Sequence, residues 1–206
     1  MRHWRETSVR IVLFDYGAGN LHSLGKALAE TGHAISIETD PRKAIDADLF
    51  VLPGVGAFQP AAERLAPGLS EVRTAIGGGL PTIGICLGMQ LLFDDSDEGP
   101  GRGLGVIPGH VEKIRSARIP HIGWNTVDPV AGTAIAAGPL DVAYFAHSYV
   151  CRPRDERAVT AWTTEGDDRF PSAVRAGSAT GVQFHPEKSS RQGVALLAGL
   201  VSEALG

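Results

Sequence analysis

Short apolar segments alternate with helical patterns through the first half of the chain. Strands are predicted at residues 9–14, 34–38, 48–52 and 82–85. Helices are predicted at residues 20–30, with Asn20 as the N-cap, at 57–76, with a break at Pro67 and Gly68, and at 87–94. Apolar strands of this kind, separated by helices, are typical of a parallel sheet that is covered on both faces.

The second half of the chain consists of shorter strands joined by glycine and proline turns. These strands are predicted at residues 106–114, 122–127, 142–149, 158–164, 172–176 and 180–184, and a last helix is predicted at 191–205. The whole pattern predicts an α/β fold, a three-layer sandwich with a mostly parallel central sheet and antiparallel additions in the second half. We expect one domain over residues 9–206, preceded by an N-terminal extension at residues 1–8.

Composition and charge exclude several classes of function. The net charge is -4, with 23 acidic and 19 basic residues, so neither a nucleic-acid nor a membrane partner is expected. The apolar runs are too short to cross a bilayer, and the polar N-terminus does not resemble a secretory signal. The two cysteines cannot form a disulfide framework. We therefore expect a cytoplasmic protein.

Cys86 lies between two glycines, where a predicted strand becomes a predicted helix. Residues 81–90 read PTIGICLGMQ, which is the layout of a nucleophile elbow. Side chains at Gly84 and Gly88 would collide across so tight a turn, and the N-terminus of the following helix favours a thiolate. The alternative is a buried cysteine that only packs, and this is how we interpret the other cysteine, Cys151.

His185 is the best placed of the seven histidines to act as a base for Cys86. It follows an apolar strand and precedes Pro186, which favours an extended backbone at His185. Residues two apart in an extended backbone point to the same side, so Glu187 can reach the imidazole and orient it. The alternative is a strand-end histidine beside an unrelated, solvated glutamate.

Acyl transfer also requires donors for a developing oxyanion. The glycine-rich turn at residues 54–56 and the N–H of Leu87 could supply them. A phosphate loop is disfavoured at this turn because no Lys-Ser or Lys-Thr follows. The turn at residues 17–19 lacks the third glycine of a dinucleotide fingerprint, where His22 stands. Since the cysteines also lack zinc-ligand spacing, we expect neither a cofactor nor a metal. Because the turns at 15–19 and 54–56 and Cys86 follow parallel strands, they should meet at one edge of the sheet.

Together these motifs resemble the class I glutamine amidotransferases, whose signature is GICLGMQ with HPE, at residues 84–90 and 185–187. Further motifs are similar to those of the glutaminase subunits of imidazole glycerol phosphate synthase: DYGAGNL, PGVGAF, PHIGWN, HSY and HPEKS, at residues 15–21, 53–58, 120–125, 147–149 and 185–189. The resemblance covers the chain from about residue 9 to residue 205. It implies a flavodoxin-like class I amidotransferase fold.

The resemblance also implies roles for individual residues. Cys86 would be the nucleophile, His185 the general base and then acid, and Glu187 the orienting carboxylate. The oxyanion region would comprise Val55, Gly56 and Leu87. The substrate contacts would be Gly54, Gln90, Glu98, Ser148 and Tyr149. The partner interface and ammonia gate would include Asn20, Trp124, Tyr144 and Lys188, for which the alternative is ordinary surface or packing.

The activity that the resemblance implies is hydrolysis of L-glutamine to L-glutamate and ammonia through a thioester. The ammonia would pass to a cyclase subunit with a β/α barrel, in a heterodimer, which makes imidazole glycerol phosphate and AICAR from PRFAR in histidine biosynthesis. The glutaminase would be nearly idle until that partner binds its own substrate. Other interpretations stay open: amidotransferases for anthranilate, aminodeoxychorismate, guanylate or pyridoxal phosphate, a cysteine peptidase or γ-glutamyl hydrolase, and a regulatory subunit with a dead site.

Overall fold

The structure, a computed structural model, describes residues 9–17, 21–54, 56–138 and 140–206. The predicted extension at residues 1–8 lies outside this part of the chain, as do Asn20 and Val55. The strands are β1 (Arg10–Phe14), β2 (Ala34–Glu38), β3 (Leu49–Leu52), β4 (Thr82–Ile85), β5 (Asp95–Ser96), β6 (Gly109–Lys113), β7 (His121–Thr126), β8 (Asp128–Pro129), β9 (Val142–His147), β10 (Tyr149–Pro153), β11 (Val159–Glu165), β12 (Asp168–Ala176) and β13 (Ala179–Val182).

The α-helices are α1 (His22–Ala29), α2 (Pro41–Ala44), α3 (Phe58–Leu65), α4 (Leu69–Gly77), α5 (Leu87–Gln90), α6 (Ala134–Ala137) and α7 (Ser190–Leu205). Short 3-10 turns lie at Ala66–Gly68, Glu156–Ala158 and Pro186–Lys188. The first of these separates α3 from α4, so the predicted break at Pro67 and Gly68 is confirmed.

The central sheet has eight strands in the order β2-β1-β3-β4-β13-β12-β11-β8. The strands from β2 to β13 run parallel, and the pairs from β13 to β8 are antiparallel. Two smaller sheets are formed by β10-β6-β5 and by β7-β9. The predicted α/β class, with a mostly parallel sheet and antiparallel additions in the second half, is confirmed.

Helices cover both faces of the parallel strands. Alternate residues of β1 enter two separate hydrophobic cores, with Ile11 and Leu13 on one side and Val12 and Phe14 on the other. The first core includes side chains from α1 and α7, and the second includes side chains from α3 and α4. The strand is apolar throughout because both of its faces are buried, which confirms the three-layer arrangement.

The helix that follows Cys86 is shorter than predicted, because α5 ends at Gln90 rather than near residue 94. The next three residues are fully buried, and their carbonyls accept hydrogen bonds from the segment at 104–107 instead of from a continuing helix. The N–H of Leu104 donates to the Leu91 carbonyl at 2.7 Å, for example. Because residues 104–107 make these hydrogen bonds, the strand predicted at 106–114 begins only at Gly109.

The predicted strand at 142–149 is divided at Ser148. The residues before this break form β9, which pairs with β7, and the residues after it begin β10, which pairs with β6. One apolar segment therefore serves two sheets, which the sequence pattern could not show. The short elements α2, α6, β5 and β8 also escaped prediction.

The first helix begins at His22, one residue later than predicted, and its N-cap Leu21 makes no side-chain capping bond. The capping residue predicted for it, Asn20, lies outside the described residues. Within the described ranges, none of the helices is long and apolar enough to cross a membrane.

Leu197 of α7 is fully buried in the core shared with α1. We expect Leu197→Ala to lower the free energy of unfolding by about 2–5 kcal/mol, because it leaves a cavity in that core. Urea unfolding measures the change, with Val194→Ala, a partly buried position on the same helix, as the control. Equal losses in the two variants would contradict the assigned packing of α7.

Candidate active site

Cys86 joins β4 to α5 in a backbone conformation that only a tight turn requires, with φ +48° and ψ -104°. A Cβ on Gly84 would lie 2.5 Å from the Gly88 carbonyl oxygen, and a Cβ on Gly88 would overlap the Leu52 carbonyl oxygen. No side chain fits in either place. The predicted elbow is therefore present, and the strained φ of Cys86 is held by the packing around it.

His185 and Glu187 form the predicted pair. The Nδ1–H of His185 donates to Glu187 Oε1 at 2.8 Å, and both side chains are buried. Burial by itself would lower the pKa of His185, but hydrogen bonds to Cys86 and Glu187 outweigh it and raise that pKa to about 9. The imidazole is therefore protonated at neutral pH, between a cysteine sulfur and a carboxylate.

Gln183 is a residue of the site that our sequence reasoning missed. Its amide Nε2 lies 3.5 Å from Cys86 Sγ, and its Oε1 accepts from the Gln90 amide at 3.4 Å. The side chain is fully buried. Gln183 stands two residues before His185, and the two-residue period that linked His185 to Glu187 could have pointed to it.

The turn that follows β3 lies directly against the cysteine. A Cβ on Gly54 would lie 2.9 Å from Cys86 Cβ and 3.0 Å from His185 Cε1. Gly56 has φ +105°, a value that favours glycine. Val55 lies outside the described residues, so its oxyanion role stays a prediction.

Both ends of this turn are anchored. Tyr16 Oη donates to the Pro53 carbonyl at 3.2 Å, and the Phe58 N–H donates to Glu98 Oε2 at 2.8 Å. Burial, together with the nearby Cys86, raises the pKa of Tyr16 well above its usual value, so its phenol keeps the proton that it donates. The sequence predicts that the turns after β1 and β3 lie close to Cys86. The structure places Tyr16, which follows β1, and Gly54, which follows β3, near this cysteine.

A cavity of about 290 Å³ opens above Cys86. The Gln90 amide Nε2 donates to the Tyr149 carbonyl at 3.0 Å and closes one of its walls. Every residue predicted to contact the substrate lies on this cavity: Gly54, Gln90, Glu98, Ser148 and Tyr149. Gly56 and Leu87 of the predicted oxyanion region line it as well. One cavity therefore unites a thiol, backbone donors, an amide and a carboxylate.

Three of the residues predicted for the partner interface, Trp124, Tyr144 and Lys188, lie within the described residues. Trp124 of β7 is 55% exposed, and its ring meets that of Tyr144 edge-on at 6.1 Å. Lys188 is exposed, and its backbone N–H donates to the His185 carbonyl. A second cavity of about 770 Å³ is lined by Glu187, Lys188 and residues of α7.

Cys151 does not belong to the site. It is fully buried, and burial raises the pKa of its thiol well above the usual value. It packs in the core on the α3 side of the sheet, as expected. No cluster of three or more metal-binding side chains occurs in the ranges that the structure describes.

Comparison with known proteins defines the class. The family model "Glutamine amidotransferase class-I" matches residues 12–201. Solved structures with this fold include a GMP synthase subunit from Thermoplasma acidophilum, with a TM-score of 0.74 at 18% identity over 97% of this chain and 96% of that one. A glutamine amidotransferase from Thermotoga maritima has a TM-score of 0.69 at 16% identity, over 97% of this chain and 99% of that one. At such identities these two structures support the fold alone.

Relatives of higher sequence identity define the family within this class. Imidazole glycerol phosphate synthase subunit HisH of Synechocystis sp. is 45% identical over 202 residues, covering 94% of this chain and 96% of that protein. The HisH subunit of Carboxydothermus hydrogenoformans is 46% identical over 195 residues, covering 92% and 97%. The chain belongs to the class I glutamine amidotransferases and, within them, to the family of the HisH subunits.

Glu187→Gln should lower the pKa of His185 below about 9, because it removes a carboxylate that stabilises the imidazolium. An NMR titration of the His185 ring measures this shift. Glu30→Gln, on the same large cavity as Glu187, is the control for a distant charge and should leave the pKa unchanged.

The same substitution should change the pH dependence of stability. The folded-state pKa of His185, about 9, lies above its ordinary value of 6.5, so its protonation stabilises the fold fully below pH 6.5. That contribution is lost as the pH rises through about 9, and Glu187→Gln should make it smaller. If the free energy of unfolding fell equally between pH 6.5 and about 9 in the wild type and in Glu187→Gln, Glu187 would not be the group that stabilises the imidazolium.

Proposed function

We propose that this chain hydrolyses L-glutamine to L-glutamate and ammonia as the glutaminase subunit of an imidazole glycerol phosphate synthase in histidine biosynthesis. The observation that carries the proposal is the single cavity that joins Cys86 to Gln90, Glu98 and Tyr149, beside the buried His185–Glu187 pair. The HisH relatives support this particular synthase rather than another amidotransferase. This role agrees with the cytoplasmic location expected from the sequence.

The first half of the reaction forms a thioester. Cys86 Sγ attacks the side-chain carbonyl carbon of glutamine, and the protonated His185 gives its proton to the departing ammonia. Since Nδ1 of His185 is bonded to Glu187, Nε2 is the nitrogen that exchanges protons at the reacting centre. Gln183, whose amide faces the sulfur, helps to hold Cys86 for the attack.

The second half releases glutamate. The now neutral His185 takes a proton from a water molecule, which attacks the thioester carbonyl, and the sulfur leaves as the thiolate. Glu187 stabilises the imidazolium each time it forms. These steps return Cys86 and His185 to their starting protonation states.

The turn after β3 would control this chemistry. Its ends are fixed by Tyr16 and Glu98, and glycine at positions 54 and 56 has the backbone freedom that a reorienting peptide requires. Loss of one oxyanion donor costs roughly 3 kcal/mol, or a hundredfold or more in rate. A turn that points its N–H groups away from the cavity would therefore keep the enzyme idle until the partner binds.

The partner would be a cyclase subunit with a β/α barrel that receives the ammonia. Its docking surface would include the exposed side chains of Ile122, Trp124 and Lys188, with Tyr144 beneath Trp124. The family resemblance implies that Asn20 also contacts the partner. The large cavity between Glu187 and α7 opens beside this surface.

Cys86→Ala should abolish glutamine hydrolysis without weakening the binding of the cyclase subunit, because it removes only the attacking sulfur. Cys151→Ala, which removes the other buried thiol, should retain activity. The measurement is glutamate release by the chain alone, with the cyclase, and with the cyclase and its nucleotide substrate. We expect a large increase only in the last case. Hydrolysis by Cys86→Ala, or no increase when both the cyclase and its nucleotide substrate are present, would overturn the proposal.

Gly54→Ala should lower turnover about a hundredfold. The added Cβ would meet Cys86 Cβ and the Ile85 carbonyl at 2.9 Å, so the oxyanion turn must shift by a fraction of an ångström or more. The control is Gly25→Ala on α1, where an added Cβ has open space. Glutaminase kinetics of the full complex distinguish the two, and wild-type turnover in Gly54→Ala would rule out a catalytic role for this turn.

A further inference from the structure

Two buried histidines that the mechanism does not use lie next to the substrate cavity. His121 of β7 and His147 of β9 are partners in the antiparallel register, and only 5% and 6% of their surfaces are exposed. Nδ1 of His121 lies 3.0 Å from Nε2 of His147. Their rings pack against Phe145 and Phe170.

The hydrogen bonds of this pair can run in one direction only. The Tyr149 carbonyl accepts and never donates, so the nitrogen 3.0 Å from it, Nδ1 of His147, carries a proton. Burial lowers the pKa of His147 to about 3, so the ring is neutral at neutral pH and its Nε2 must accept. The Nδ1–H of His121 is therefore the donor to His147.

The other ring nitrogen of His121, Nε2, lies beside Asn125 and Glu165. Burial lowers the pKa of His121, against the opposite effect of the Glu165 carboxylate, whose Oε2 is 3.4 Å from Nε2. The Asn125 amide Nδ2 lies 3.3 Å from Nε2, 3.0 Å from the Thr164 carbonyl and 3.2 Å from Glu165 Oε2. Two donations are therefore fixed in sequence, from His121 to His147 and from His147 to the Tyr149 carbonyl.

The last acceptor belongs to the wall of the substrate cavity. The Tyr149 carbonyl also receives the Gln90 amide, and the Ala146 carbonyl lies 3.9 Å from Cys86 Sγ. This wall, residues 146–149, includes the break at Ser148 between β9 and β10, so one continuous strand ladder cannot hold it. Ladder pairing holds Ala146 and His147 on β7 and Tyr149 on β6, and the Ile114 N–H donates to the Ser148 carbonyl at the break. The histidine chain adds a side-chain link from β7 across this break to the Tyr149 carbonyl.

The first donor belongs to the strand that bears the exposed apolar surface. Along β7, His121 and Asn125 point inward, while Ile122 and Trp124 point outward and are 61% and 55% exposed. Because alternate residues of one strand share a backbone, a partner that presses on Ile122 and Trp124 also acts on the inward chain.

We propose that His121 and His147 are positioning residues that hold the wall at residues 146–149 for glutamine and connect it to the outward surface of β7. This inference rests on the proposed glutaminase activity and deepens it. Neither histidine exchanges a proton with glutamine. Their contribution is to the binding of the substrate, and it should be observed in KM more than in kcat.

The first test does not depend on glutaminase activity. In the whole chain with ¹⁵N-labelled histidine, NMR at neutral pH should show both His121 and His147 as neutral rings protonated at Nδ1. In His147→Phe, the His121 Nδ1 resonance should move because its acceptor is gone. Protonation at Nε2 of His147 or of His121 would overturn the proposal, whatever the enzyme does with glutamine.

The second test separates hydrogen bonding from packing, in the complex with the cyclase and its nucleotide substrate. His147→Phe keeps a ring against Phe145 and Phe170 but cannot donate, and should raise KM for glutamine roughly tenfold with kcat within about threefold. His147→Asn, whose amide can reach the Tyr149 carbonyl, should recover part of this loss. Phe170→Leu disturbs the packing of both rings, keeps the hydrogen bonds, and should leave KM near that of the wild type.

Three outcomes overturn the positioning role: an unchanged KM in His147→Phe, an equal rise in KM in Phe170→Leu, or no recovery in His147→Asn. If His147→Phe does not fold, as judged by circular dichroism, His121→Phe replaces it, since its ring can still stack on Phe145. If the wild-type complex releases no glutamate, the proposed function is contradicted. The NMR result alone then tests the hydrogen bonds of His121 and His147.

Discussion

The close approach of backbone to backbone around Cys86 is the constraint on which the rest of the site depends. Gly88 lies against the carbonyl at the end of β3, so the turn that follows β3 is brought directly to the cysteine. The Cys86 N–H donates to the Val182 carbonyl at 2.7 Å, so β13 delivers Gln183 and His185 to the same place. The strained φ of Cys86 is the local cost of this convergence, and the packed sheet maintains it.

Two buried histidines near the cavity, His185 and His147, show how the partners of an imidazole decide its charge. Burial favours the neutral ring in both. At His185 the Cys86 sulfur and the Glu187 carboxylate outweigh burial, and the ring holds its proton. The hydrogen-bond partners of His147 among the described residues are a backbone carbonyl and another imidazole, so burial prevails and the ring stays neutral. The first is suited to move protons, and the second to hold a position.

Local patterns predicted the sheet, the elbow and the His185–Glu187 pair because each depends on residues close in sequence. A two-residue period relates His185 to Glu187, and two glycines flank Cys86 within one turn. The patterns failed where distant segments compete for the same backbone groups. The helix after Cys86 stops at Gln90 because the loop at 104–107 takes the carbonyls of the next residues, and one predicted strand divides at Ser148 to serve two sheets.

By itself the sequence determined the α/β class and indicated Cys86, His185 and Glu187 as the candidate site, because strand alternation and turn geometry are properties of a short backbone segment. Only the tertiary structure decided how those residues are supported. It placed the Gln183 amide on the cysteine sulfur, Glu98 on the end of the turn after β3, and His121 on His147. These pairs lie far apart along the chain, and packing of the sheets, which no local period encodes, brings them within hydrogen-bond distance.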